Sequence, residues 1–130
     1  MVANEENEMF TNLIERNKAK KILKKFKDKF VVSDYNPQNQ SVSRLLWCNL
    51  SCAGESIPIN EFEKINVEKN AIVFFYDERA NKMFQVKYYE VADYIINLEP
   101  WDEYDAYIFD DTFKWFIAIT HEDFCILYGL

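Results

Sequence analysis

Histidine and glycine are the scarcest residues in this chain of 130, with one and two copies, beside three prolines and three cysteines. Two glycines cannot build a phosphate-cradling glycine loop, a collagen-like repeat or a long flexible linker. One histidine excludes a multi-histidine metal centre and leaves any Ser-His-Asp triad a single base, His121. An odd number of cysteines, in a chain large enough to need no staples, fits reduced thiols better than a disulfide framework. No stretch approaches the roughly 20 apolar residues of a membrane span. The opening MVANEENEMF is acidic and polar, where a secretory signal is basic and then apolar. The expected compartment is the cytosol, away from membranes.

Aromatic residues, by contrast, are abundant. Hydrophobic residues make up 49% and aromatics 17% of the chain, enough to argue against disorder. A chain of this length buries roughly two-thirds of its unfolded surface and forms one domain. The expectation is a single domain over 1–130, with a helical segment at 1–30 and a sheet-rich body at 44–130. The net charge of -7 hides an asymmetry. Residues 1–30 hold 8 Lys/Arg against 5 Asp/Glu, and residues 31–130 hold 7 against 17. A body of charge -10 repels nucleic acid and attracts basic surfaces.

Residues 4–30 read as helix, free of Gly and Pro, with acids early and lysines late as the helix dipole prefers. Met9, Phe10, Leu13 and Ile14 form one apolar stripe, and Ile22, Leu23, Phe26 and Phe30 another. The stripes are out of phase, which implies either a break near Asn17 or one helix that touches two surfaces. The polar run 31–43 around Pro37 reads as loop. Leu46, Cys48, Leu50 and Cys52 alternate with polar or aromatic neighbours and suggest a strand. Asn60 and Glu63 suggest a capped short helix carrying Phe62 and Ile65. Ala71–Tyr76 and Met83–Tyr88 form a hairpin through DERAN, and Glu90–Asn97 has helical spacing. Three apolar runs, Ala106–Phe109, Trp115–Ile119 and Phe124–Tyr128, are separated by DDT and THED and form an antiparallel meander. The sum is α+β: a helical N-terminus packed on a mostly antiparallel sheet of about five to six strands. Both alternating faces of the first two meander strands are apolar, so the sheet is either covered on both sides or leaves an aromatic face for a partner.

Several constellations bear on chemistry. Cys48, Cys52, His121 and Cys125 have the residue types of a zinc set, but strand residues four apart lie about 13 Å from each other, too far to share a metal. Their apolar context fits core thiols. His121 with a thiol would make a nucleophile pair, yet THED reads as a hairpin tip with a solvated imidazole. Glu99, Asp102, Glu103 and Asp105 fall within seven positions, and Asp110–Asp111 follow at the next turn. Paired carboxylates serve glycosidases and magnesium sites, but these lack calcium-loop spacing and fit a solvated acidic rim. The run KAKKILKKFKDKF has the charge of a nucleic-acid patch, while its Ile22, Leu23, Phe26 and Phe30 fit an amphipathic helix with a solvated basic side. Finally, Trp101, Tyr104, Tyr107 and Trp115 are mixed with acids, which is the composition of a protein interface that steers a basic partner. The competing reading has Trp101 plugging the core.

The stretch WDEYDAYIFDDTFKWFIAITHED, residues 101–123, resembles the closing hairpins of small bacterial cytosolic proteins, among them immunity-type proteins of polymorphic toxin systems. The likeness covers less than a fifth of the chain and consists of aromatic strands and acidic turns. The glycine pair common in the immunity superfamily related to yeast cell-wall assembly regulators is missing, and no site residue carries over. The resemblance implies a non-enzymatic, partner-blocking role. The resulting expectation is a small acidic protein-binding module, immunity-like, that neutralises a basic toxin or partner domain. Its contacts would be Trp101, Asp102, Glu103, Tyr104, Asp105, Asp110 and Asp111, without catalysis, metal, cofactor or nucleic acid. The alternatives are a small enzyme or metal-binding domain using the loop carboxylates, or a self-associating structural module.

Overall fold

A computed structural model describes residues 12–33, 35 and 44–130. The Met9–Phe10 stripe and the segment around Pro37 lie outside the described residues. The elements run α1 (Arg16–Phe30), a 3-10 turn (Leu46–Asn49), β1 (Glu55–Pro58) and a 3-10 helix (Ile59–Lys64). They continue through β2 (Ile72–Asp77), β3 (Lys82–Lys87), α2 (Tyr88–Ile96), β4 (Ala106–Phe109), β5 (Phe116–Ile119) and β6 (Phe124–Tyr128). The six strands form one antiparallel sheet in the order β1-β6-β5-β4-β2-β3. The meander and the β2–β3 hairpin stand where the alternating runs and turn residues place them. Left-handed turn positions are filled by Asn81, Phe113 and Asp123 (φ 55°, 54° and 66°), so the hairpins form with almost no glycine.

The sheet is covered on both faces. Alternation along β2 and β4 sends Phe74, Tyr76, Tyr107 and Phe109 to one side, where Phe26 and Phe30 of α1 meet them. Val73, Phe75, Ala106 and Ile108 point the other way, onto Val91 and Ile95 of α2 and Phe62 of the 3-10 helix. Period-2 strands with two apolar faces therefore bury both sets, which is why β4 and β5 contain no exposed residue. Phe26 has no solvent exposure and contacts the rings of Phe30, Tyr107, Phe109 and Phe116 at centroid distances of 4.6–5.7 Å.

Three expectations are corrected. The helix does not reach back through Leu13 and Ile14. It starts at Arg16, because the Glu15 carboxylate accepts the N–H groups of Asn17 and Lys18 at 3.0 and 3.2 Å and caps the first turn. Asn12–Ile14 instead lies along the edge of β3, with Ile14 N–H donating to Met83 O and Gln85 N–H to Asn12 O. The Leu46–Cys52 segment is no strand but begins as a 3-10 turn, and its first two N–H groups go to side chains. Leu46 N–H donates to Glu78, and Trp47 N–H to the Tyr107 hydroxyl. The helix carrying Phe62 follows Pro58 and has no side-chain cap, so Asn60 and Glu63 do not cap it. β1 joins the sheet edge although its four residues, ESIP, carry little strand signal.

Candidate functional site

β4 begins at Ala106 directly after Asp105, and β5 ends one residue before Thr120 and two before His121. β2 ends at Asp77, so Glu78 and Arg79 of the hairpin turn arrive at the same end of the sheet. Asp105, fully buried, is the centre on which these elements converge. Its carboxylate accepts from Arg79 Nε at 2.6 Å, Trp47 Nε1 at 2.8 Å, and His121 through Nδ1 at 2.9 Å and backbone N–H at 3.2 Å. Burial pushes the carboxyl up, but the bonds from His121, Arg79 and Trp47 prevail and hold it below its ordinary range. An ionised carboxylate only accepts, so His121 keeps its proton on Nδ1 and presents Nε2 outward. Glu122 stands 4.0 Å from that nitrogen.

A second carboxylate sits beside the first. Glu78 accepts from the Tyr107 hydroxyl at 2.6 Å and from Leu46 N–H at 3.1 Å, while its own N–H donates to Asp105 O at 2.9 Å. Burial pushes Glu78 up despite those bonds, and Asp105 nearby adds to the rise. Burial and the Glu78 charge push Tyr107 up as well. The pair ties the Leu46–Asn49 turn to the sheet end.

The loop 98–105 leads from α2 into this end. Trp101 is 75% exposed, which rules out the core-plug reading. Asp102 and Glu103 are exposed beside it. Asp102 accepts from Glu99 N–H at 2.9 Å and so shapes the turn, and Glu103 lies 3.7 Å from Arg79. Tyr104 is half-buried, its hydroxyl hydrogen-bonded to that of Tyr94 and its ring edge-on to the Tyr94 ring at 5.6 Å. Asp105 points inward and belongs to the interior, not to the acidic surface. Asp110 and Asp111 lie at the opposite end of β4, about 13 Å along the strand. Asp110 is engaged locally by Thr112 and by Trp115 Nε1 at 3.0 Å, while Asp111 is exposed. Of the seven expected residues, Trp101, Asp102 and Glu103 are exposed together, Tyr104 is half-buried next to them, and Asp105, Asp110 and Asp111 lie apart from that group.

Glu99, Asp102, Glu63 and Asp123 surround one cavity between the 3-10 helix, the end of α2 and the β5–β6 turn. Glu63 and Asp123 are distant in sequence from the 99–105 loop. Ile59 N–H donating to Asp123 O at 3.0 Å brings the two segments together. His121 stands at the β5–β6 turn and is partly exposed as expected, with its ring held by Asp105. Arg79, Trp47 and Glu78 escaped the sequence reading, each lying 26 or more positions from its partner.

The three cysteines are free thiols: Cys48 exposed, Cys52 half-buried and Cys125 buried, with burial pushing Cys125 up to about 12. Cys48 thus departs from the core-thiol expectation. Among the described residues no group of three or more His, Cys, Asp or Glu side chains is placed to hold a metal ion. No helix among them is long and apolar enough to cross a membrane.

Fold and site together define a small α+β domain, an antiparallel sheet sandwiched between helices, with an acidic, tryptophan-bearing end. The chain belongs to DUF6756, a family of unknown function whose model matches residues 3–130. No curated protein and no solved structure matches it.

Proposed function

We propose that this protein is a protein-binding module whose Trp101–Glu103 loop docks a basic partner protein, in the manner of an immunity protein that covers a toxin domain. The observation that carries the reading is Trp101, an indole 75% exposed and flanked by Glu99, Asp102 and Glu103. An exposed tryptophan gives up a large apolar area to water, and a partner recovers it on docking. Acids around it lengthen the reach of attraction for a cationic surface without occupying the anchor. Arg79 and His121 do not make a competing anion site, since both are drawn onto Asp105 and stand next to Glu103 and Glu122. The Asp105–His121 pair has the orientation of a general base. No nucleophile is seen paired with it among the described residues, which favours a structural role.

The test is surface plasmon resonance against the product of the adjacent gene. Glu103→Lys with Glu122→Lys should slow association about tenfold at low salt and much less at high salt. Trp101→Ala should leave association nearly unchanged and raise the dissociation rate tenfold or more. Circular dichroism should show the fold of both variants intact, because all three side chains are exposed or at the surface. Unchanged rates in both variants overturn the assignment of the surface.

A further inference from the structure

We propose that the cavity next to Trp101 takes the side chain of an arginine presented by the partner protein. The inference rests on the docking reading above and names the chemistry that the surface selects. The cavity has a volume of about 380 Å³. That is the small end of the ~300–1,000 Å³ range of ligand sites, room for one long side chain. Its inner wall is apolar and firm: Phe62 and Ile95 are 2% and 3% exposed, and Leu98 is half-buried. Its rim is acidic on several sides, with Glu63 from the 3-10 helix, Glu99 from the loop and Asp123 from the β5–β6 turn. No Lys, Arg or His lines it.

The two other cavities described among these residues lack that combination. A second cavity, at the start of α1, is lined by Glu15 together with Arg16, Lys20 and Lys82. A third, along α2, sets Lys69 among Glu90 and Asp93. In both, charges of the two signs are mixed in the lining, three basic residues against one acid in the first and one against two in the second. Around the cavity beside Trp101, no lysine or arginine of the described residues forms an ion pair with Glu63, Glu99 or Asp123. An aliphatic side chain entering it would bury its carbons and leave the rim unneutralised, and an acid would be repelled. An arginine satisfies both parts: its methylene stem lies on Phe62, Ile95 and Leu98, and its guanidinium meets the carboxylates in a fork. Guanidinium sheds water more readily than ammonium, which favours arginine over lysine at a half-enclosed rim. Pro100 and Asp102 line the cavity on either side of Trp101 in sequence, so the indole and the arginine would be gripped by one loop.

The experiment is an amide NMR titration of the full-length ¹⁵N-labelled protein with the peptide Ac-Gly-Arg-Gly-amide, beside its citrulline counterpart. Citrulline keeps the shape and removes the charge. Saturable shifts at Ile59, Leu98, Glu99 and Asp123, absent with citrulline, are the expected result. The double variant Glu99→Gln, Asp123→Asn should bind the arginine peptide about tenfold more weakly. Asn is chosen because it tolerates the left-handed backbone of Asp123. Equal binding of citrulline, or unchanged affinity in the double variant, overturns the proposal. Shifts confined to the Trp101 indole and residues 101–103 overturn the cavity while leaving the docking loop intact. The loop itself fails only in the plasmon resonance test of Trp101→Ala.

Discussion

Four N–H groups, three from side chains and one from a backbone amide, converge on the Asp105 carboxylate, so its charge ties Trp47, Arg79 and His121 to one end of the sheet. Asp105→Asn keeps the shape but weakens each charge-assisted bond and turns an amide NH₂ toward donors. It should cost about 2–3 kcal/mol in urea denaturation. Arg79→Ala removes a half-exposed partner and should cost less than about 1 kcal/mol. A loss below about 0.5 kcal/mol for Asp105→Asn would show that Asp105 is not the organising charge. From sequence, Asp105 counts among the surface acids because Asp102, Glu103 and Asp105 look alike in a row. Only the strand start at Ala106 turns it inward. Trp101 was ambiguous for the same reason, since tryptophan in a loop is equally at home in a core or at an interface.

At the scale of elements, α1 is held to the sheet mainly by its last two turns, where Phe26 and Phe30 are buried and Ile22 and Leu23 only half-buried. Phe26→Ala should therefore destabilise by about 3–5 kcal/mol and Leu23→Ala by distinctly less, measured by thermal or urea unfolding. Equal costs would mean that the helix packs along its whole length. The basic face of α1 was legible as a solvated side because Phe26 and Phe30 repeat at helical spacing. β2, β3, β4, β5 and β6 were legible too, through short apolar runs bounded by turn residues. The Leu46–Asn49 turn was misread because alternation alone does not reveal where N–H groups are satisfied. Here the acceptors, Glu78 and Tyr107, stand 32 and 60 positions away. The cavity beyond Trp101 was invisible for a related cause: its acids come from three segments that meet only in the fold.

For the molecule as a whole, the buried Asp105 and the half-buried Glu78 pull the pH dependence of stability in opposite directions. Asp105 is held below its ordinary value, so its contribution is present above about pH 4 and lost as the pH falls through its lowered folded value. Glu78 is raised above 4.5 by burial. As the pH climbs past 4.5, the unfolded chain ionises first, and stability declines until folded Glu78 has ionised too. Urea midpoints from pH 3 to 8 should peak in the mildly acidic range, and Glu78→Gln, whose carbonyl can still accept from Tyr107 and Leu46, should flatten the fall above the peak. A variant that falls as steeply as the parent would assign the slope to other groups. α1 carries eight lysine or arginine residues against Asp28, a charge of +7, while the other described residues hold 7 Lys/Arg against 17 Asp/Glu, a charge of -10. The helix lies on one face of the sheet, while the 3-10 helix and α2 border the acidic cavity on the other. The protein is thus an electric dipole as well as an anion, and a nearby charged body exerts a torque on it before any contact. At physiological salt that torque acts only within about 8 Å, less than the thickness of the fold. A cation close to α1 is therefore repelled, and one close to the acidic cavity is attracted.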